Sequence, residues 1–299
     1  MSAPPSPVSL AFDAPPGALE RVSPLVRRIV APNPSPMTFT GTCAYVVGEG
    51  EVFVIDPGPD DEAHVRMLAR ALARERVAAI LITHTHADHS AGARRLRALT
   101  GAPILGCAAH APTGIEAADR THDRLHAPDG VLAEGEALEA GGARLAAVAT
   151  PGHTRNHLCF ALEQEKALFS GDHVMAWSTT VVIPPDGAMG DYMASLEKLR
   201  ARDDAVFWPG HGGPVPEPQR YLRALLHHRR QREQAIFARL ERSAASVCEI
   251  VADVYPGLDS ALERAARLST LAHLDDLRAR GRVVAEGAPF DEGTRFRPA

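Results

Sequence analysis

The order of periodic segments predicts a mixed α/β (α+β) fold, with sheets covered on the outside by helices and a separate helical appendage after them. Three observations carry this. Strand-like and helix-like runs interleave between residues 25 and 215. Several neighbouring strand-like runs are joined by tight turns, which excludes a purely parallel, doubly wound sheet. From about residue 216 the strand rhythm stops and long helical patterns replace it.

Each element follows from its own pattern. Residues 1–24 carry Pro4, Pro5, Pro7, Pro15, Pro16 and Pro24 and read as a flexible lead-in. "CAYVVG" and "EVFVIDPG" are β-rich runs split by Gly48-Glu49-Gly50, a hairpin signal. "DEAHVRMLARALARE" places Val65, Leu68, Ala69 and Leu72 at helical spacing, with acids at its start. "VAAILITH" is nearly all apolar, as a strand buried on both faces must be. "SAGARRLRAL" reads as a helix capped by Ser90, and "APILG" as a strand. Residues 111–140 read as a long irregular loop whose His110, His122 and His126 face water. "ARLAAVATPGH" is a strand ending in a turn, and "HLCFALEQEKALFSGD" a hairpin turning at Glu163–Glu165. "DYMASLEKLRAR" is a helix opened by Asp191, and "DAVFWPGHG" a strand running into a Gly-rich turn.

Residues 216–242 form a long basic amphipathic helix, whose His227-His228-Arg229-Arg230 run reads as a solvated face. Helix, helix and short strand then follow in 243–299, the order of a winged-helix-like domain. The expected division is therefore a lead-in (1–24), an α/β domain (25–215), a connecting helix (216–242) and a winged-helix-like domain (243–299).

Bulk composition narrows the function. The net charge is −5 over 299 residues, so no global field draws in nucleic acid. Cys43, Cys107, Cys159 and Cys248 are scattered, with no CxxC pair, which argues against a disulfide framework or a thiolate zinc site. No basic start with an apolar stretch and no 18-residue apolar window occurs, so the expectation is a cytoplasmic protein without a membrane partner.

One loop stands out. "THTHADHS" (83–90) holds three of the chain's 14 histidines and a carboxylate. It follows an apolar strand, and three later strands end the same way: "ARLAAVA" in TPGH, "EKALF" in SGD, "DAVF" in WPGHG. If the strand ends meet at one sheet edge, His84, His86, Asp88, His89, His153, Asp172 and His211 converge. Seven ligands exceed the four of a structural zinc and the three of a catalytic one, so they suit two metals sharing a carboxylate. All are imidazole or carboxylate; Zn2+ is the first choice, with Fe and Mn compatible.

The HxHxDH pattern His84-x-His86-x-Asp88-His89, followed in order by TPGH, SGD and PGHG, resembles the metallo-beta-lactamase superfamily. The resemblance spans about residues 25–215. It implies a four-layer αββα sandwich with the metals at one edge of the sheets. It also implies that His84, His86 and His153 take one metal, that Asp88, His89 and His211 take the other, and that Asp172 bridges. "NPSPMTFTGTCAYVVG", "TPGHTRNH", "SGDHV", "STTVV", "DYMASLEKL", "WPGHGGPV" and "HHRRQREQAIFARL" further resemble the branch containing the mitochondrial β-lactamase-like endoribonucleases, which carries a C-terminal winged-helix region. One departure is Gly41-Thr42-Cys43, where that branch usually reads GTN.

Two metals about 3.5–4 Å apart hold a shared water and lower its pKa towards about 7. The expected chemistry is attack of a bridging hydroxide on an ester-type bond, with Asp88 and Asp172 as the catalytic carboxylates. The expected substrate is a phosphodiester of single-stranded RNA, as the resemblance to the endoribonuclease branch implies, or a small-molecule ester; a thioester, as in the similar hydroxyacylglutathione hydrolases, is the alternative. A persulfide dioxygenase with one iron is the reading from another enzyme class, and a DNA-binding regulator with an idle metal site is a third. Asp56, in "VIDPG", is the candidate acceptor that fixes a ligating imidazole, although Asp before Pro-Gly is also a common turn former. His157 and His173 adjoin ligand positions and are candidates to touch substrate or buttress ligands. A homo-oligomer is left open.

Overall fold

The computed structural model describes residues 9–288 and 293–299. The chain divides into two compact units. One contains the chain up to Thr150, Asn156–Thr180 and Arg202–Tyr221; the other contains Pro151–Arg155, Val181–Ala201 and the described residues from Leu222 onward.

The first unit holds two sheets. The first sheet runs, in order, β1 (Glu20–Arg21), β2 (Val26–Val30), β3 (Cys43–Val47), β4 (Glu51–Ile55), β5 (Arg76–Ile82), β6 (Ile104–Gly106) and β7 (Gly130–Val131). β1 to β4 are antiparallel, and β4 to β7 are parallel. β5 is therefore flanked on both sides, which is why its sequence is almost continuously apolar. The second sheet contains β8 (Ala137–Ala140), β9 (Ala143–Ala149), β10 (Leu158–Leu162), β11 (Ala167–Gly171), β12 (Val206–Pro209) and β13 (Val215–Pro216). Only its β11–β12 pair is parallel.

The two sheets share one core. Tyr45, Phe53 and Ile80 of the first meet Phe160, Phe169 and Trp208 of the second. The Tyr45 ring lies 5.1 Å from Phe169, and its hydroxyl donates to the Pro209 carbonyl at 2.7 Å. Helices α1 (Glu62–Ala71) and α3 (Ala93–Thr100) add Val65, Leu68 and Leu96 to this core. The very short α2 (Ala87–Ser90) and α4 (Glu116–Asp119) sit in the loops that follow β5 and β6.

The second unit contains α5 (Met189–Arg200), most of α6 (Pro218–Leu240), β14 (Ala245–Ser246), α7 (Val247–Val254), α8 (Ser260–Ala279), β15 (Val283–Glu286) and β16 (Arg295–Pro298). Its core is Ile236, Leu240, Ile250, Leu274, Leu277, Val283 and Phe296. Ser246 and Glu249 form a reciprocal capping box that starts α7. β16 pairs with both β14 and β15, which gives the wing of a winged helix.

The structure departs from the sequence reading in several places. Ser90 does not cap the following helix; its hydroxyl turns back to the His86 carbonyl, and Gly92 holds the cap position of α3. Residues 111–140 are less irregular than the sequence suggests, since α4, β7 and β8 all lie within them. His122 and His126 are buried, as is most of the His110 side chain, because this segment folds back over the loop after β5. Arg229 is also buried, with its guanidinium over the Tyr192 ring, so the His227–Arg230 run is not a uniformly wet face. Of the proposed lead-in, residues 1–8 lie outside the described residues, while Glu20–Arg21 pair with β2 as an edge strand. Among the described residues no helix is long and apolar enough to cross a membrane.

Phe160 is fully buried between the sheets. Phe160→Ala is expected to destabilise the protein by about 3–5 kcal/mol. A lowered urea midpoint at unchanged slope measures this.

Candidate metal centre

The site grows from strand ends. β5 ends at Ile82, and the chain continues extended through 83–86 before α2 begins. Alternation along this segment sends His84 and His86 one way and Thr83 and Thr85 the other. Asp88 and His89 are adjacent, a spacing that would splay them on a strand. The turn of α2 corrects this, and Asp88 Oδ2 lies 3.6 Å from His89 Nε2. β11 ends at Gly171 and delivers Asp172, while β12 ends at Pro209 and delivers His211 through Gly210.

Four ligand atoms converge. His89 Nε2 is 3.2 Å from His211 Nε2 and 3.3 Å from Asp172 Oδ1. His211 Nε2 is 3.3 Å from Asp88 Oδ2 and 3.4 Å from Asp172 Oδ1. These short separations bring imidazole nitrogens and carboxylate oxygens together, a donor set that suits a divalent ion. Beside it, His84 Nε2 faces His86 Nδ1 at 2.9 Å, and ligand atoms of both lie within 4.8 Å of one on Asp172. Asp172 thus belongs to two groups of donors. Gly210 makes room for them: a Cβ there would come within 2.5 Å of His89 Cε1 and 2.7 Å of Asp172 Oδ1.

The far side of each ring is tied down. The Thr83 hydroxyl donates to Asp56 Oδ2 at 2.6 Å, so it must accept from His84 Nδ1 at 3.0 Å. His89 Nδ1 donates to Asp56 Oδ2 at 2.8 Å, and His211 Nδ1 donates to the Gly41 carbonyl at 3.2 Å. In all three, Nδ1 is engaged on the far side, so Nε2 is the ring nitrogen turned to the centre. Asp56 is held in turn by the Thr83 N–H at 2.8 Å. It sits in the left-handed backbone region at φ 47°, a conformation Asp tolerates better than most residues. His157 donates from Nδ1 to Thr150 Oγ1 at 2.8 Å and accepts the Asp172 N–H at 3.3 Å, so it buttresses a ligand. His173 is buried with its ring 5.6 Å from that of His157. His153 lies on the 151–155 segment assigned to the other unit. There its Nδ1 donates to the Val181 carbonyl at 2.7 Å, which leaves Nε2 as its lone-pair nitrogen.

The electrostatics match a site built for cations. Burial opposes charge on all four converging groups, yet mutual attraction outweighs it. Asp172, Asp88 and Asp56 hold the His89 imidazole protonated well above its ordinary range. Asp172 raises His211 from 6.5 to about 9, and the two imidazolium charges hold Asp88 and Asp172 well below the usual carboxylate range. Protons occupy the place of the positive charge that the two carboxylates demand.

Residues 37–211 match the metallo-beta-lactamase superfamily, more than half of the chain, and residues 246–292 match the beta-lactamase associated winged helix domain. The chain belongs to the metallo-beta-lactamase superfamily. A beta-lactamase-like protein 2 homolog of Drosophila melanogaster is 30% identical over 94% of this chain and 97% of its own length. An atrochrysone carboxyl ACP thioesterase of Paecilomyces divaricatus is 32% identical over 74% of this chain and 66% of its own. The crystal structure of a metallo-beta-lactamase family protein from Thermus thermophilus superposes with a TM-score of 0.74 at 26% identity, covering 93% of this chain and all of that one. The chain is therefore a metallo-beta-lactamase-fold enzyme with a hydrolase's relatives and a His/Asp cluster suited to divalent metal.

The sequence reading did not include Thr83, Gly210 or the supporting contacts of His122. Thr83 was findable, since alternation places it opposite His84 and beside the strand end that carries Asp56.

Two expectations follow from this geometry. Asp56→Asn keeps the backbone conformation but weakens the acceptor behind His89, so metal affinity should fall about 10–100-fold in chelator competition. Metal uptake must also expel the protons on His89 and His211. The raised His211 value means that its charge stabilises the metal-free fold below the ordinary His range and fades as pH climbs through about 9. Calorimetry in buffers of different ionisation heat should show proton release at pH 7.5 that falls as the pH rises through about 9, where His211 loses its proton.

Proposed function

We propose that this protein is a dinuclear metallohydrolase of ester-type bonds, with a thioester as its preferred substrate class. The observation that carries the hydrolase reading is the cluster of Asp88, His89, Asp172 and His211, with Asp172 also within reach of His84 and His86. His84 and His86 would contribute to one ion, Asp88, His89 and His211 would hold the other, and Asp172 would join both. Zn2+ is the proposed ion, since imidazole and carboxylate donors suit it.

When bound, two such ions supply Lewis acidity and acidify a water towards about pH 7. The protein's own residues set the geometry. Asp172 and Asp88 supply fixed negative charge on the two sides of His89 and His211, and either carboxylate can accept the proton released as the nucleophile forms. Asp56, Thr83 and Gly41 hold the rings so that Nε2 stays aimed inward. No Ser or Cys nucleophile is required.

The substrate class rests on the surroundings of His211 and on the relatives. The Phe39 ring stacks on Trp177 at 5.0 Å, and Trp177 packs beside Gly212, next to His211. An aromatic wall there suits an apolar acyl group better than a sugar–phosphate chain, as does the net charge of −5. A relative named as a thioesterase points the same way. The four cysteines are free, three of them buried, which supports a reducing cytoplasmic setting.

Zinc-quantified protein should be offered acyl-pantetheine thioesters, small esters and short single-stranded RNAs. The expected result is saturable thioester hydrolysis with intact RNA. RNA cleavage with untouched thioesters would transfer the proposal to phosphodiesters. One iron per chain with oxygen consumption on a persulfide would replace hydrolysis altogether. Asp172→Ala should lose both ions and lower turnover by more than about 100-fold, beyond what a neighbouring support residue costs. Metal content and rate near those of the unaltered protein would contradict the shared role of Asp172.

A further inference from the structure

The segment after β6 does more than connect strands. It returns across the 83–86 loop and pairs with it as a short antiparallel bridge between His86 and His122. Ala87 N–H donates to the Thr121 carbonyl at 2.9 Å, and Asp123 N–H donates to the Thr85 carbonyl at 2.7 Å. Arg94 clamps Asp123 with two bonds of 2.9 and 2.7 Å. Asn156 bonds both Thr85 Oγ1 at 3.1 Å and the Ala108 carbonyl at 2.7 Å, which links the two loops from another side.

This framework holds a file of rings. His122 Nδ1 lies 2.9 Å from Thr85 Oγ1, on the side of the strand opposite the ligands. The His122 ring centre is 4.7 Å from that of His86, and the His110 ring stacks on its other side at 3.7 Å and 7°. His110 Nε2 meets Asp119 Oδ1 at 2.9 Å. Asp119 in turn accepts the Thr113 N–H and hydroxyl at 2.9 and 2.8 Å and the Gly114 N–H at 3.1 Å. His86 is thereby sandwiched, with the His84 ring edge-on at 4.7 Å on its inner side.

We infer that His122, backed by His110 and Asp119, is a positioning residue that fixes the His86 ring and so sets the affinity and geometry of the ion held by His84 and His86. This rests on the dinuclear reading above. The rigidity comes from ring packing: the His122 ring lies tilted at 39° against His86 and is itself stacked on His110. His86 is only half-buried and begins α2 without a side-chain cap bond, so its ring orientation depends on what packs against it. Neither His122 nor His110 belongs to the neighbouring donor group of Asp88, His89 and His211, which supplies an internal control.

The test uses the full chain loaded with Co2+ and two readouts, stepwise chelator competition and the visible absorption of bound cobalt. The unaltered protein binding two equivalents is the control for the dinuclear reading; failure there would defeat that reading, whatever His122 does. In His122→Ala one equivalent should weaken about 10–100-fold, the range for losing a ligand's support, with an altered cobalt band, while the other equivalent is unchanged. His122→Phe, which keeps a stacking ring, should restore the spectrum, whereas His122→Asn, which keeps a polar atom near Thr85 but no ring, should not. Affinities and spectrum identical to the unaltered protein in His122→Ala would overturn the inference, as would equal loss of both equivalents. If His122→Ala does not fold, His110→Ala decides, because it removes the second ring and leaves the Thr85 contact in place.

Discussion

Two carboxylates and two imidazoles meet around a single point in the interior, and everything else in the first unit serves to hold them there. Burial alone would drive Asp88 and Asp172 to neutrality, and they remain charged because His89 and His211 carry protons against them. Two buried carboxylates this close are stable only with positive charge between them. Protons satisfy that demand crudely. A divalent ion would satisfy it better, held by the same imidazoles and carboxylates.

The fold meets the constraint by stopping strands. β5, β9, β11 and β12 end where the ligand-bearing loops begin. The sheet interior is apolar and rigid, so the positions of these ends are set by packing of residues such as Tyr45, Phe160 and Phe169. Catalytic side chains sit on loops, while the precision comes from strands whose order is locked by hydrogen bonds. Asp56 illustrates the coupling: it follows directly on β4, adopts a left-handed backbone, and from there reaches both Thr83 and His89.

Much of this was legible from residues alone. The HxHxDH loop, the later TPGH, SGD and PGHG turns and the apolar runs before them carry the chemistry in local patterns of period two and in strand-end position. Asp56 was legible for the same reason, as a carboxylate at a strand end. The parts that were not legible depend on chain crossings. Nothing local marks the 107–126 segment as folding back over the HxHxDH loop, so His110, His122 and His126 read as wet when they are buried. Ser90 looked like a helix cap because its type and place fit one, yet the turn of α2 gives its hydroxyl a nearer acceptor in the His86 carbonyl. Arg229 read as solvated for a similar reason, since the ring that covers it belongs to Tyr192, 37 positions away in the chain.

The central claim is that one carboxylate, Asp172, faces two cation positions at once. Anomalous diffraction from crystals of the zinc-loaded protein, collected on both sides of the zinc edge, tests it most directly. The account predicts two peaks, one enclosed by Asp88, His89, His211 and Asp172 and a second against His84 and His86, with the Asp172 carboxylate between them. A single peak, or peaks away from these side chains, would contradict it.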